Sequence, residues 1–355
     1  MFYPLKVKEI RRETPECVSI AFEINDSQKA EFNYKQGQYL TFKKTINGQE
    51  VRRSYSLCSS PHADNELRVA VKQVEGGRFS NYANSELREG DTLDSMKPMG
   101  NFFTELSPSN SKSYIMLAAG SGITPIFGII KSILAVEPSS RIQLFFGNKS
   151  DQDVIFKAEL DQLQAAKDNL TVHYVYSRQD IADPLFKGHI SSEKLDAFTG
   201  TVQGLYSADE YFICGPEKMI FDLKDHIIGM GVDSSKLHFE LFTSVTAPEK
   251  EKSDSAPAAS GGASKVTVIM DDEHFEFELA ENGDVILDAA IDAGVDAPYS
   301  CKGAVCCTCK AKVIEGEVEM EMNYALSDDE VEEGFILTCQ SHPKSPKVVV
   351  DYDQI

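Results

Sequence analysis

The chain is short of positive charge. Its 35 Lys and Arg stand against 56 Asp and Glu, a net charge of −21. That balance argues against a general nucleic-acid or anionic-membrane surface, since both are bound through cationic side chains. The N-terminal "MFYPLKVKEIRRETPE" lacks a long apolar run behind a basic start and lacks a small-residue cleavage pattern. No secretory signal is read there, and a cytoplasmic location is expected. An unbroken bilayer-length apolar stretch is also missing. The nearest approach, residues 114–136, is interrupted by Gly120, Ser121, Gly122 and Pro125 and carries Lys131. It reads instead as a buried strand, a turn and a buried helix, so no membrane partner is expected. No internal repeat is visible.

What is present divides the chain. A length of 355 residues predicts two or three domains of roughly 100–150 residues each. Residues 265–355 hold 21 Asp and Glu against 6 Lys and Arg, a balance of −15 out of −21, and so form a distinct acidic body. Ahead of it, "TSVTAPEKEKSDSAPAASGGAS" has too little apolar content to offset the entropy of ordering and predicts a flexible linker over 244–264. Residues 1–107 carry short alternating runs ("SIAFEI", "YLTFKK", "LRVAVKQV") between turn residues, which predict an antiparallel barrel or sandwich. Over 108–243 apolar strands ("YIMLAA", "IQLFFG", "LTVHYVYS", "EYFICG") alternate with helical stretches at 125–136, 153–167 and 216–230. That rhythm predicts a parallel α/β sheet. After the linker, "KVTVIMDDEHFEFELA" reads as a hairpin, "VILDAAIDAG" as a short helix and "KVVVDYD" as a final strand.

The eight cysteines carry the sharpest signal. Without a secretory signal they read as reduced thiols or metal ligands rather than disulfides. Cys17, Cys58 and Cys214 are scattered, whereas Cys301, Cys306 and Cys309 form C-x4-C-x2-C and Cys339 follows after another 29 residues. This is the plant-type [2Fe–2S] spacing. Zinc sites present paired C-x2-C knuckles, and the second pair is missing here. Cys307, between two ligands, reads as a non-ligand thiol.

Further constellations point to phosphate-bearing ligands. Arg53, Ser54, Tyr55 and Ser56 ("RSYS") are followed by a Gly-Gly turn into a helix at Gly77, Arg78, Phe79 and Ser80. An arginine fork with a helix N-terminus makes a diphosphate site, and the tyrosine ring could cover a flat heterocycle. In "LAAGSGITP", Gly120 and Gly122 let the backbone approach a pyrophosphate, and Pro125 is tolerated in the first helical turn. Ser177 and Arg178 end one strand, where a guanidinium can clamp a ribose 2′-phosphate; an arginine paired with Asp180 or Asp183 is the alternative. Cys214 and Gly215 end another strand, with a buried core thiol as the alternative for Cys214.

In this order, R-x-Y-S, GGRFS, GSGITP, CGPEKM and C-x4-C-x2-C…C resemble the ferredoxin–NADP reductase superfamily fused to a C-terminal plant-type ferredoxin. The resemblance covers nearly the whole chain outside the linker. With "HFELF" ahead of the linker, the chain looks most like the reductase subunits of phenylacetyl-CoA epoxidases. The resemblance implies an FAD-binding β-barrel over 1–107, a nucleotide-binding α/β domain over 108–243 and an α+β β-grasp ferredoxin domain over 265–355. It implies that Arg53, Ser54, Tyr55 and Ser56 bind FAD, with Gly77, Arg78, Phe79 and Ser80 on its diphosphate. Gly120, Gly122, Thr124, Ser177, Arg178, Cys214 and Gly215 would bind NADPH or NADH, with NADPH favoured by Arg178. Ser56, Cys214, Glu240 and Phe242 would surround the reacting rings, and Cys301, Cys306, Cys309 and Cys339 would hold the cluster. Plant members end in tyrosine where this chain has Phe242 and continues. The implied partner is an oxygenase component with a diiron centre, docked through the acidic ferredoxin domain. A desaturase, another hydroxylase or a hybrid-cluster protein is the alternative acceptor, and a non-enzymatic redox or metal-binding protein is the alternative class.

Overall fold

The structure, a computed structural model, describes residues 1–242 and 263–354. The linker expected over 244–264 lies outside the described residues except for Ala263 and Ser264, which already belong to a strand. Two compact units emerge, one built from residues 2–51 and 55–242 and one from the C-terminal part of the chain together with Met1 and residues 52–54.

The first unit opens with strands β1 (Tyr3–Thr14), β2 (Cys17–Glu23), β3 (Tyr39–Ile46), β4 (Gln49–Ser56) and β5 (Leu67–Lys72), then helix α1 (Arg78–Ser85) and strand β6 (Thr92–Ser95). Asn47 and Gly48, with φ of 52° and 77°, make the two-residue turn between β3 and β4. Such a turn matches the right-handed twist of paired strands. The antiparallel sheet runs β4-β3-β6-β1-β2-β5, and a bridge from Leu57 to Val69 brings the end of β4 onto β5. The sheet thereby curls into the expected barrel around Leu5, Ile20, Phe22, Leu40 and Phe42.

The same unit continues with β7 (Ser113–Ala119), α2 (Ile123–Val136), β8 (Arg141–Asn148), α3 (Lys157–Ala166), β9 (Leu170–Tyr176), α4 (Ser192–Phe198), β10 (Glu210–Gly215), α5 (Glu217–Gly229) and β11 (Leu237–Leu241). These strands form a parallel sheet in the order β11-β10-β7-β8-β9. From β7 the chain winds outward through β8 and β9, then returns to the other side of β7 as β10. The order reverses between β7 and β10, and the carboxyl ends of the strands at such a switch point are where open α/β sheets take ligands. Helix α2 is buried nearly all round. A Cβ on its Gly128 would come within 2.8 Å of the Ser59 carbonyl and 2.9 Å of that of Leu57, so only glycine lets α2 approach the barrel this closely. Helix α3 starts at Lys157, later than the apolar pattern predicts, because Phe156 takes a left-handed φ of 60° that no α-helix accommodates.

The C-terminal unit holds β12 (Ala263–Met270), β13 (Glu273–Ala280), α6 (Ile286–Asp292), β14 (Lys310–Glu315), β15 (Val318–Met320), α7 (Asp328–Glu332), β16 (Phe335–Leu337), β17 (Ser341–Pro343) and β18 (Lys347–Asp351). Asp271 and Asp272, both left-handed, turn the β12–β13 hairpin. The mixed sheet runs β13-β12-β18-β14-β16, with β12 and β18 parallel. Helix α6 contributes Ile286, Leu287 and Ala290 to a core separate from that of the first unit. Among the described residues no helix is long and apolar enough to cross a membrane.

Candidate functional site

Three strands of the first unit converge at this switch point. Ser56, the last residue of β4, donates from Oγ to Glu240 Oε2 at 2.9 Å. In the parallel pairing of β10 with β11, Glu240 lies opposite Cys214. Cys214 is fully buried, and burial first, then the Glu240 carboxylate, push its thiol well above the ordinary range. It is therefore held as a neutral thiol. Residues 56, 214 and 240, distant in sequence, thus form one group at the switch point. Phe242 follows β11 and is 37% exposed.

Arg53 and Ser54 are half-buried on β4, and Arg53 Nη1 donates to the Arg52 carbonyl at 2.7 Å. The Tyr55 ring lies 5.3 Å from that of Phe79, which itself stacks on Phe42 at 6.0 Å. Phe79 is thereby buried in the barrel core, and only its backbone remains for a ligand. Gly77 caps α1, whose first-turn N–H groups have no intrahelical acceptor. A Cβ on Gly77 would lie 2.4 Å from Ser80 Oγ. That hydroxyl accepts from Val74 N at 3.2 Å and closes the turn. Arg78 reaches Gln49.

In the second glycine loop Gly120 takes a φ of +55°, and a Cβ on Gly122 would meet the Cys214 carbonyl oxygen at 2.1 Å. Thr124 Oγ1 donates to Ser121 O at 3.0 Å, so its hydroxyl fastens the loop. Gly215 is crowded in the same way by Met219 and Ala119. Ser177 Oγ donates to Asn148 O at 3.3 Å, and Arg178 is exposed beside it. Neither aspartate offered as an alternative partner takes the Arg178 guanidinium, because Asp180 pairs with Lys187 at 2.7 Å and Asp183 accepts from Leu185 N at 2.9 Å. The sequence reading missed Lys72, whose Nζ lies 3.9 Å from the position of a Gly120 Cβ. Nothing local marks this lysine at the end of β5; only the packing of barrel on sheet brings it to the loop.

In the C-terminal unit, Cys301 and Cys306 bring their Sγ atoms to 3.2 Å, and Cys309 and Cys339 share a hydrogen bond. Among the described residues the thiols stand two and two, with no set of three around one point. Two thiols per iron is the donor set of a [2Fe–2S] cluster, whereas structural zinc needs four around one ion. The two thiols of each pair are pushed in opposite directions. The Cys306 thiol holds Cys301 below its ordinary range and Cys309 does the same for Cys339, while Cys306 and Cys309 are raised. Lys302 and Ala304 adopt left-handed φ of 51° and 62°. The loop thereby turns the N–H of Gly303 to Cys301 Sγ at 3.3 Å, with Val305 N also on Cys301 and Ala304 N on Cys339. Cys307 Sγ points away and donates to Ala325 O at 3.2 Å.

Barrel, doubly wound sheet and four-thiol body in this order define a flavin- and nicotinamide-dependent reductase with its own iron–sulfur carrier. The oxidoreductase FAD-binding domain family matches residues 4–103, the oxidoreductase NAD-binding domain family residues 116–225, and the 2Fe-2S iron-sulfur cluster binding domain family residues 268–344. The chain belongs to the ferredoxin–NADP reductase superfamily, in the branch that carries a C-terminal plant-type ferredoxin domain. It is 38% identical to a 1,2-phenylacetyl-CoA epoxidase subunit of Escherichia coli (strain K12), over 99% of this chain and 98% of that one. It is 32% identical to the ferredoxin reductase component of 3-ketosteroid-9-alpha-monooxygenase of Mycobacterium tuberculosis (strain ATCC 25618 / H37Rv), over 99% and 96% of the two chains. Among solved structures, phthalate dioxygenase reductase shares the fold with a TM-score of 0.58 at 24% identity, covering 99% of this chain and 98% of that one. The protein is an oxidoreductase that carries electrons from a nicotinamide nucleotide through FAD to a [2Fe–2S] cluster.

Proposed function

We propose that the protein takes electrons from NADPH in the cytoplasm and delivers them to a diiron oxygenase component that acts on phenylacetyl-CoA. The observation that carries this reading is the 38% identity, over nearly the full length of both chains, to the 1,2-phenylacetyl-CoA epoxidase subunit; the Ser56–Glu240 hydrogen bond beside buried Cys214 supports the reductase chemistry. When bound, the flavin would accept one hydride, carrying two electrons, from the nucleotide, and the iron–sulfur cluster would pass electrons on one at a time. The chain's own residues supply position. Arg53, Ser54, Tyr55 and Ser56 hold the flavin, and the backbone of Gly77, Arg78, Phe79 and Ser80 takes its diphosphate at the head of α1. Gly120, Gly122, Thr124 and Gly215 shape the floor for the nucleotide, and the Lys72 ammonium meets its pyrophosphate. Cys214, neutral and buried, offers a small apolar wall to the nicotinamide. Glu240 orients the Ser56 hydroxyl, and Phe242 borders the flavin. Cys301, Cys306, Cys309 and Cys339 hold the cluster.

The functional units in this reading are residues 1–107, 108–243 and 265–355, with 244–264 joining the second to the third. The acidic balance of that third unit supports docking onto a basic patch. The test is anaerobic titration of the purified protein, followed by reconstitution with candidate oxygenases at rising salt. Flavin and iron–sulfur absorption should bleach on adding NADPH, and delivery to the diiron component should fall steeply with ionic strength. Colourless protein, or delivery indifferent to salt, would contradict the reading.

Nucleotide choice is tested separately. A guanidinium on a phosphate contributes about 1.5–3 kcal/mol. Arg178→Ala should therefore raise KM for NADPH by about 10–100-fold while leaving KM for NADH within about twofold. Equal effects on both nucleotides would remove Arg178 from this role.

A further inference from the structure

Gln340 directly follows Cys339 and is 6% exposed, yet its amide is placed for something other than stability. Nε2 lies 2.7 Å from the Cys339 carbonyl, 3.3 Å from the Lys302 carbonyl and 3.7 Å from Cys339 Sγ. The other end of the same amide, Oε1, is buried without a hydrogen-bond partner among the described residues. Turning the amide over would not relieve this, since Oε1 would then face two carbonyl oxygens. The two carbonyls therefore fix the orientation of the amide, with Nε2 on the side of the sulfur and the oxygen orphaned. A side chain of similar shape without polar atoms would avoid that cost.

The other donors to these sulfurs are mostly backbone. Gly303 and Val305 serve Cys301, and Ala304 serves Cys339. Such contacts survive substitution of the side chain. The Thr308 hydroxyl on Cys306 and the Gln340 amide on Cys339 are the side-chain donors, one to each thiol pair. Gln340 has a second property. By binding Lys302 O and Cys339 at once, it ties the loop bearing three cysteines to the segment bearing the fourth.

The geometry points to Gln340 as a positioning residue that sets the reduction potential of the cluster, through N–H donation to the Cys339 thiolate. The inference rests on the reading that Cys301, Cys306, Cys309 and Cys339 hold the cluster. One-electron reduction adds negative charge that the thiolates share. A donor on one thiolate stabilises the reduced form and raises the potential. Removing it makes the cluster harder to reduce.

The experiment is a dye-mediated redox titration of the full chain, read by visible absorption and by electron paramagnetic resonance, with iron content measured in parallel. Gln340→Met keeps the volume and removes the donor. Its ratio of oxidised to reduced cluster at a fixed poise should rise about tenfold, a downward shift of about 59 mV for one electron. Gln340→Glu also loses the donor and adds a carboxylate, so its shift should be larger in the same direction. An unchanged midpoint at full iron occupancy would overturn the proposal, since a merely structural glutamine would alter cluster yield and not potential. Should neither variant retain iron, reduced wild-type protein labelled with 15N at the glutamine side-chain amide decides the matter. A hyperfine coupling from that nitrogen to the cluster spin supports the proposal, and its absence overturns it. Wild-type protein without iron would instead overturn the ligand reading beneath it.

Discussion

Cys309→Ala should leave nucleotide-driven flavin reduction intact and abolish electron delivery to the acceptor. Cys309 stands at the junction of the two halves of the proposed cluster site. It shares a hydrogen bond with Cys339, and its own carbonyl accepts from Thr338 Oγ1 at 2.9 Å. Loss of groups that merely support metal ligands costs roughly 10–100-fold in metal affinity or activity, so loss of a ligand should lower acceptor reduction by more than about 100-fold. The nucleotide residues and, of the flavin residues, Tyr55, Ser56 and residues 77–80 lie in the other compact unit, which has its own cores, whereas Arg53 and Ser54 group with the four-thiol body. Reduction of ferricyanide by NADPH, which needs only the flavin, should then stay within about twofold of wild type, because sites without shared partners act independently. Parallel loss of both activities would show that the four-thiol body is not a separable carrier.

Gly122→Ala should be the most damaging small substitution in the nucleotide-binding body. The added methyl would sit 2.1 Å from the Cys214 carbonyl oxygen and 2.4 Å from its carbon. Both belong to the backbone of β10, which cannot rotate away as a flexible side chain could. Overpacking of this kind costs about 1–3 kcal/mol, and a rigid neighbour places it at the upper end. For a unit of this size that corresponds to a fall in Tm of roughly 5–10 °C. KM for NADPH should rise with it, because relief of the clash displaces the glycine loop or Cys214. Gly229→Ala supplies the control. It ends α5 with nothing within 4 Å of an added Cβ, so it should be neutral or stabilise by up to about 1 kcal/mol through the unfolded chain. Matching thermal melts for the two variants would refute the steric argument.

Much of this site was legible before any coordinates. The four cysteines proposed to hold the cluster are a largely local signal, since three fall within nine residues at a spacing that favours iron–sulfur over zinc. The glycines at 120 and 122 announce themselves because a strand, a tight turn and a buried helix follow one another without a gap. Other residues resisted. Lys72 looks like any strand-ending lysine, and Gln340 like any polar residue after a cysteine. The partners of Arg178 could be argued either way until Lys187 was found on Asp180. Helix α3 was placed too early, because the left-handed turn at Phe156 leaves no mark in apolar periodicity.

Order along the chain, the class of each body and the four thiols proposed as cluster ligands followed from residue pattern, because period, turn chemistry and thiol spacing are properties of neighbours in sequence. Tertiary structure alone decided that Ser56, Cys214 and Glu240 meet, that Lys72 faces the glycine loop, and that the Gln340 amide is pinned against a thiolate with its oxygen orphaned. Those contacts join segments up to 184 residues apart. Those of the first unit exist only because the parallel sheet returns to its starting strand and packs α2 against the barrel, and those of Gln340 because the segment bearing Cys339 folds back beside Lys302; no local propensity encodes either register.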